Sequence, residues 1–330
     1  YIAPYNLPVT RQSILITANT KNTNSLVISR DNEMYTVSND GLLLAFNHNF
    51  TSRWSFSPPS LGYKFIGTPM ISNDETIYLV AHVDNNSSNL SNYLYAIIDN
   101  KTQANEKWKL AIDNKTSVSC VFDASGVVYV GTNSGTIYAI KDFITHGNSI
   151  WTYRIDPELN GNPYLITGAP TFNISNTNLC FGYSNSTNTS SSIHAIDISN
   201  LHVSTGKPQL LWNKTVTDKG YFNTPSIDDS GIIYAATSHG YIYAYDISNN
   251  GANKWTTTPL NINDASLSTI SIGSDDHIYV TSSEGLNVID SSNGELLWKY
   301  FIDLSGLSVN DGNYNSSPTI DANNNIYFGG

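Results

Sequence analysis

The chain alternates short apolar segments with short polar ones, and one arrangement of the two returns along most of its length. An apolar segment leads into a turn of Asp, Asn, Ser or Gly, and a second segment that begins near a Tyr follows. Such turn residues bond to the local backbone, and short apolar runs between them indicate β-strands. The arrangement occurs at ISRDNEMY (28–35), ISNDETIY (71–78), FDASGVVY (122–129), IDDSGIIY (227–234), IGSDDHIY (272–279) and IDANNNIY (320–327).

Six tryptophans give the length of this repeat. Successive tryptophans are separated by 54, 43, 61, 43 and 43 residues, so the period is 43. The two long intervals contain polar insertions without hydrophobic periodicity, at 82–92 and 184–192, which are typical of loops. We interpret the tryptophans as a structural repeat that packs between neighbouring units rather than as a cofactor platform. They are Trp54, Trp108, Trp151, Trp212, Trp255 and Trp298.

Each repeat contains four strand-like segments. The first often begins after Thr-Pro, Ala-Pro or Ser-Pro, where the missing proline N–H costs no ladder bond. The second follows the polar turn, the third reads like GTIYAI (135–140), and the fourth holds the tryptophan. No helical periodicity lies between the segments, so the pattern predicts four-stranded antiparallel sheets repeated along the chain.

Sheets of this size and period predict an all-β fold, a β-propeller of four-stranded blades. We expect a single domain over residues 1–330 with seven blades; eight blades with part of the chain missing is the alternative. Residues 315–330 would form half a blade, and the terminal segment 1–23 would contribute a closing strand from within 10–19. Truncation of a longer protein explains the half blade equally well.

The segments SSPTIDANNNIYFGG (316–330) and GLNVIDSSNGELLWKY (285–300) resemble the pyrroloquinoline-quinone-type repeat of the quinoprotein alcohol dehydrogenase-like propellers. The resemblance extends over residues 24–330. It implies the fold, but it leaves function open, since similar repeats occur in quinone-dependent dehydrogenases, outer-membrane assembly scaffolds and surface proteins.

Composition limits the partners. The net charge is -11 and only 13% of residues are charged, which argues against nucleic-acid binding. The sequence contains no run of about 18 apolar residues, so we predict no membrane span.

Eleven Asn-x-Ser/Thr sequons make the chain a candidate glycoprotein, and Asn85, Asn86, Asn89 and Asn188 among them lie in the two insertions. The composition alone yields a similar number by chance, so position carries the argument more than count. We predict an extracellular or cell- or particle-surface location, with an intracellular one as the alternative. The candidate glycosylation sites are Asn49, Asn85, Asn86, Asn89, Asn100, Asn114, Asn173, Asn185, Asn188, Asn213 and Asn315.

The two cysteines, Cys120 and Cys180, lie in strand-like runs of different repeats. An even number permits a disulfide. We favour two buried thiols that act as small apolar side chains, because strands that are not neighbours rarely bring Cα atoms within bridging distance.

Candidate chemistry is sparse. The resemblance implies a quinone clamped by adjacent cysteines, and this chain has no Cys-Cys pair. The seven histidines show no short metal-ligand spacing, and His194 replaces a residue of the third segment, which indicates packing. Paired turn aspartates could hold calcium, although turn chemistry explains them better. We therefore predict no catalytic, cofactor or metal residues, with calcium as a minor alternative. The aspartates are Asp228, Asp229, Asp275 and Asp276.

Two functions remain. The favoured one is a non-catalytic surface or secreted propeller, a binding or scaffold module whose loops contact a protein or glycan partner. The alternative is a quinoprotein-like oxidoreductase or another enzyme, such as a hydrolase, that uses a central channel; it rests on the resemblance alone.

Overall fold

The structure is a computed structural model of the chain. It describes residues 25–83, 91–116, 118–155, 164–187, 189–260, 267–282, 284–301, 317–321 and 324–328. These residues form strands and turns and contain no helix, as the all-β prediction requires. Accordingly, nothing in the described ranges has the length and apolar character of a membrane-crossing helix.

The described chain divides into two compact units, which we call the first unit (25–166) and the second unit (167–328). The first unit contains sheets 1, 2 and 3, each with four antiparallel strands in sequential order. A further short strand ends it. The strands are β1 (Val27–Ile28), β2 (Met34–Val37), β3 (Leu43–Phe46) and β4 (Ser52–Phe56); β5 (Tyr63–Ile71), β6 (Ile77–Val83), β7 (Asn92–Asp99) and β8 (Ala104–Ile112); β9 (Val121–Phe122), β10 (Val127–Gly131), β11 (Thr136–Asp142) and β12 (Gly147–Arg154); and β13 (Tyr164–Ile166).

The second unit contains sheets 4, 5 and 6, with the same order, and a two-stranded sheet 7. Six four-stranded sheets and this pair fit the prediction of seven blades. The strands are β14 (Thr171–Phe172), β15 (Asn178–Asn185), β16 (Ser190–Asp197) and β17 (Gln209–Thr217); β18 (Ser226–Ile227), β19 (Ile232–Ala236), β20 (Ile242–Asp246) and β21 (Ala252–Thr256); β22 (Ser271–Ile272), β23 (His277–Ser282), β24 (Gly285–Asp290) and β25 (Leu296–Phe301); and β26 (Thr319–Ile320) and β27 (Ile326–Tyr327).

The predicted half blade at 315–330 is represented by β26 and β27. The proposed closing strand within 10–19 lies outside the described residues. A single domain over 1–330 and the closing role of 1–23 therefore stay predictions.

Burial explains the composition of the strands. The second and third strands of the four-stranded sheets are largely buried on both faces, and most of them are apolar; β10, for example, is buried along its whole length. The fourth strands alternate, and in β17 the tryptophan is the one buried residue. An inner strand covered on both faces reads as a continuous apolar run, whereas an edge strand keeps polar side chains toward solvent.

The six tryptophans occupy the same position in their sheets. Each stands opposite a small or medium residue of the third strand, immediately beside a shift in strand register. A bulge of this kind re-aims side chains and increases local twist. Trp298 is half-buried, and the other five are buried. The pairs are Ala45–Trp54, Ala96–Trp108, Ala139–Trp151, Ala195–Trp212, Ala244–Trp255 and Val288–Trp298.

Glycine makes room for the indole of the preceding sheet. A Cβ atom at Gly147 would lie 2.5 Å from the Trp108 ring, and one at Gly294 would lie 2.5 Å from the Trp255 ring. Gly294 also has a positive φ of 77°. Substitution at either position would force the tryptophan out of its packing position.

Candidate functional site

The turn between the third and fourth strands, which we call the third hairpin, is unusual in sheets 1, 2 and 3. Phe50, Lys101 and Ile144 each lie in such a turn with φ values of 67°, 69° and 67°. All three are exposed, Ile144 to 79%. A left-handed backbone is unfavourable for bulky side chains, and most of all for a β-branched one. Something in the surrounding structure must therefore hold these turns.

An aspartate at the end of the third strand holds two of them. Asp99 Oδ1 accepts the Lys101 backbone N–H at 2.6 Å, and Asp142 Oδ1 accepts the Ile144 backbone N–H at 2.8 Å. The same oxygens accept indole N–H bonds from the preceding sheet, from Trp54 at 3.0 Å and from Trp108 at 2.9 Å. Each carboxylate thus joins a strained turn to the neighbouring sheet.

The second oxygen of each aspartate binds a hydroxyl and a cation. Asp99 Oδ2 accepts bonds from the Tyr35 hydroxyl at 2.6 Å and from Arg53 Nη1 at 2.8 Å. Asp142 Oδ2 accepts bonds from the Tyr78 hydroxyl at 2.9 Å and from Lys107 Nζ at 2.7 Å. Charge-assisted bonds of this kind are stronger than neutral ones.

These contacts set the ionisation of both carboxyls. Burial by itself raises the pKa of Asp99, but bonds from Tyr35 and Arg53 outweigh it and hold that pKa below its usual value. Bonds from Lys107, Trp108 and Tyr78 outweigh burial in the same way and lower the pKa of Asp142. Burial and the neighbouring carboxylate raise the pKa of Tyr35. Both aspartates are therefore anions at neutral pH, and Tyr35 keeps its proton.

A cleft opens beside Asp99, between sheets 1 and 2. We call it the carboxylate cleft; its volume is about 300 Å³. Four carboxylates and two ammonium groups line it, so negative charge is in excess at its wall. Ile98, which is 40% exposed, supplies an apolar wall. The lining residues are Glu33, Tyr35, Asp74, Glu75, Thr76, Ile98, Asp99, Lys101 and Lys107.

The charges of the cleft differ in how firmly they are paired. Glu33 lies 2.7 Å from the Arg53 guanidinium, and both side chains are nearly buried. Asp74 approaches Lys107 only to 3.7 Å and is well exposed. Glu75 accepts the backbone N–H of Arg30 at 3.3 Å, and among the described residues it has no cationic side-chain partner. Asp74 and Glu75 are thus the carboxylates best able to bind a cationic group from outside.

Two of the four predicted turn aspartates, Asp228 and Asp275, have local bonding roles. Asp228 accepts the backbone N–H groups of Ser230 and Ile232 and the Tyr234 hydroxyl. Asp275 accepts the Tyr279 hydroxyl at 2.7 Å. Within the described ranges, no group of three or more His, Cys, Asp or Glu side chains is placed to hold a metal ion.

The cysteines and His194 lie in the core. Cys120 and Cys180 are free and buried, in the first and the second unit respectively. Burial raises the pKa of both thiols, to about 12 for Cys120. His194 stacks on Phe181 and meets the edge of Tyr183, and burial lowers its pKa to about 4. It is a neutral packing residue at physiological pH.

Six of the eleven sequons fall on described residues, and they form two groups. Three asparagines are exposed: Asn49, Asn100 and Asn213. Three are half-buried: Asn114, Asn173 and Asn185. The candidates Asn85, Asn86, Asn89, Asn188 and Asn315 lie outside the described residues.

Sequence reasoning missed the carboxylate cleft and the two aspartates that hold the third hairpins. A signal was present, because the residue before the tryptophan is a cation in the first two repeats, Arg53 and Lys107, and an aliphatic residue in three later ones. Asp99 and Asp142 both end a third strand. The ion pairs join residues 35 to 46 positions apart, and no local pattern shows such a pairing.

Solved propellers share this architecture at low sequence identity. Sqt1 from Saccharomyces cerevisiae superposes with a TM-score of 0.65 at 13% identity, covering 94% of this chain and 81% of that one. The Dos1 propeller gives 0.62 at 14% identity over 85% of this chain and 70% of its own. Europium-containing methanol dehydrogenase gives 0.59 at 11% identity, over 92% of this chain and 71% of that chain. At such identities the similarity shows the fold alone.

A family model described as outer membrane protein assembly factor BamB matches residues 198–330. No curated protein sequence matches the chain. The family match confirms the resemblance noted in the repeats over residues 198–330. The solved structures show that the chain has the β-propeller fold.

Proposed function

We propose that the protein is a non-catalytic binding module, and that the carboxylate cleft with its flanking third hairpins contacts a protein partner through a basic segment. One observation carries this proposal: three successive hairpins display bulky exposed side chains on left-handed backbone. Strain of this kind persists only where the structure over-determines it, and it concentrates at functional positions. Two of the strained turns are held by hydrogen bonds from the backbone N–H groups of Lys101 and Ile144 to the carboxylates of Asp99 and Asp142.

The chemistry of the cleft suits a Lys or Arg side chain. An aliphatic stem can lie along Ile98 while its charged end meets Glu75 and Asp74. Phe50 and Ile144 offer apolar contacts at the neighbouring hairpins. The net charge of -11 attracts basic partners during encounter. The carboxylates of Glu75 and Asp74 can form ion pairs with a basic protein segment but not with a neutral glycan.

A solved relative of the fold supports a protein partner. Sqt1 from Chaetomium thermophilum, which has a TM-score of 0.60 and 11% identity to this chain, was solved bound to the N-terminus of the ribosomal protein L10. A propeller of this general architecture therefore accommodates a chain segment. We place the present protein outside the cell or at a surface, a location supported by its exposed sequons.

The binding test uses a short fluorescent peptide that alternates Arg and Leu, followed by anisotropy. Glu75→Gln should weaken binding roughly fivefold, because an exposed charge pair contributes about 1 kcal/mol. Asp276→Asn is the matched control, since Asp276 is an exposed acid in the second unit. Equal binding of a peptide in which Glu replaces Arg, or no binding of the basic peptide, would overturn the proposal.

The enzyme alternative has its own test. After incubation with pyrroloquinoline quinone and calcium, dye reduction with alcohols and sugars should stay at background, because the sequence lacks the cysteine pair that the resemblance requires. Reproducible turnover would replace the binding proposal with an oxidoreductase.

A further inference from the structure

In the exposed sequons, the asparagine amide nitrogen, to which a glycan would be attached, is free of hydrogen bonds to described residues. Asn49 uses its carbonyl oxygen to accept the backbone N–H of Thr51 at 3.2 Å and the Thr51 hydroxyl at 2.7 Å. Its amide nitrogen and the side chains of Asn100 and Asn213 make no hydrogen bond to any described residue. Asn49 and Asn100 stand in third hairpins, and Asn213 lies on the outermost strand of sheet 4.

The half-buried sequons contain side chains that form hydrogen bonds within the fold. The Asn173 amide nitrogen donates to Ser175 and Thr177, and its oxygen accepts the backbone N–H groups of Thr177 and Asn178. Modification would remove one of the two donated bonds and would place a sugar against packed backbone.

The other two half-buried sequons differ in detail. Asn185 clasps its own loop through bonds with the backbone and hydroxyl of Thr189. In the Asn114 sequon, Thr116 is buried, and its hydroxyl donates to the Val118 carbonyl at 3.0 Å. The sequon hydroxyl of Asn213 also bonds, to Ser192, but its residue Thr215 is exposed, so burial distinguishes the two sequons.

We propose that the protein carries N-linked glycans at Asn49, Asn100 and Asn213, and that the other three described sequons serve only the fold. In the reaction the asparagine amide nitrogen forms a bond to the anomeric carbon of a lipid-linked oligosaccharide. The lipid pyrophosphate leaves, and the amide nitrogen loses one proton. No redox partner is needed, and the modified nitrogen keeps its second hydrogen.

One of these sites borders the carboxylate cleft. Asn100 stands between Asp99 and Lys101, which both line it. A glycan on Asn100 would occupy the mouth of the cleft, so modification would control access to it. This consequence, unlike the assignment of the glycan sites, rests on the proposed function.

The deciding experiment is glycopeptide mass spectrometry on folded protein from its natural source. We expect glycopeptides for the Asn49, Asn100 and Asn213 sequons, and only unmodified peptides for Asn114, Asn173 and Asn185. An unmodified protein would overturn the proposal, as would glycans on the half-buried sequons at occupancies equal to those on the exposed ones.

Two matched variants separate modification from folding. Asn173→Gln should lower the denaturation midpoint of unglycosylated protein, whereas Asn213→Gln should leave it unchanged, because the Asn213 side chain makes no hydrogen bond to a described residue. Equal midpoints would contradict the structural role of Asn173. For the cleft, enzymatic deglycosylation should strengthen binding of the Arg-Leu peptide, and Asn100→Gln should remove that gain. If glycopeptides are found at the expected sites but deglycosylation does not strengthen peptide binding, the assignment of the glycan sites is supported and the proposed control of the cleft is wrong.

Discussion

Between sheets 1 and 2 in the first unit, and between sheets 5 and 6 in the second unit, a tryptophan indole N–H bonds to the following sheet, but the acceptor differs. In the first unit, Trp54 donates to the carboxylate of Asp99, which Arg53 neutralises. In the second, Trp255 donates to the backbone carbonyl of Ser291 at 2.9 Å. The equivalent aspartate, Asp290, instead accepts bonds from Ser292 in its own turn.

One residue, six positions before the tyrosine of the second strand, differs between sheets 1 and 2 and sheet 5. Where this residue is aspartate, as at Asp228, it binds its own tyrosine hydroxyl. Where it is serine, as at Ser29 and Ser72, the tyrosine reaches the aspartate of the next sheet. The turn residue thus differs together with the bonds of the tyrosine hydroxyl, which teaches that equivalent repeat positions need not carry equivalent electrostatics.

The largest expected effect comes from Asp99→Ala. This change leaves the Trp54 indole without its acceptor and removes one of the two carboxylates that pair with the buried Arg53 guanidinium, so it should lower the free energy of unfolding by about 3 kcal/mol. Chemical denaturation measures the loss. Asp290→Ala is the control, and it should cost much less because Asp290 bonds only within an exposed turn. Equal losses for the two variants would mean that Asp99 and Asp290 contribute equally to stability, and would contradict the difference described here.

Removing the indole N–H while keeping a ring sharpens the same comparison. Trp54→Phe loses a bond to a charged acceptor, worth about 1.5–3 kcal/mol, and Trp255→Phe loses one to a neutral carbonyl, worth about 0.5–1.5 kcal/mol. Both variants also lose similar ring volume, so the difference between them isolates the acceptor. A larger loss for Trp255→Phe would contradict the charged-acceptor explanation.

Acid should weaken the first unit through Asp99 and Asp142. Both have folded pKa values below the ordinary value, so the unfolded chain binds protons first. Their contribution to stability is complete above the unfolded pKa of about 3.9, and it is lost as the pH falls through the folded pKa. Denaturation midpoints measured from neutral pH downward should fall less steeply for the double variant Asp99→Asn with Asp142→Asn. A slope identical to wild type would rule out these groups as the cause.

The smallest effect concerns the third hairpins. The second unit places Asn250 and Gly294 at positive φ, residues that tolerate this backbone, whereas the first unit places Ile144 there. Ile144→Gly should raise stability by about 0.5 kcal/mol, because relief of the left-handed strain exceeds the entropy that glycine loses on folding. Thermal melting measures the gain. A lower melting temperature would show that Ile144 is held by its own packing and not against strain.

The period of the tryptophans was enough to predict the sheets and their order. The hydrophobic pattern marks each strand, and one residue type marks the equivalent position in every repeat, so both features are local. The carboxylate cleft could not be predicted in this way. Its Asp99 looks in sequence like the aspartates that end other third strands, and its partner Arg53 lies 46 residues away. The serine in a distant turn together with the cation before the tryptophan distinguishes the ionic junctions, and both lie far from Asp99 in the sequence.

The tryptophan bonds have a direction that bears on how such a chain can grow. Trp54, Trp108 and Trp255 each donate to the sheet that follows in the sequence. Each of these three repeats therefore supplies a donor to its successor, whereas the Trp212 indole N–H is buried without a hydrogen bond to a described residue. When a gene segment encoding a repeat with such a bond is duplicated, the new copy can receive the bond from one neighbour and donate its own bond to the next. Each repeat can afterwards change the turn residue six positions before the tyrosine of its second strand, and with it the bonds that this tyrosine makes.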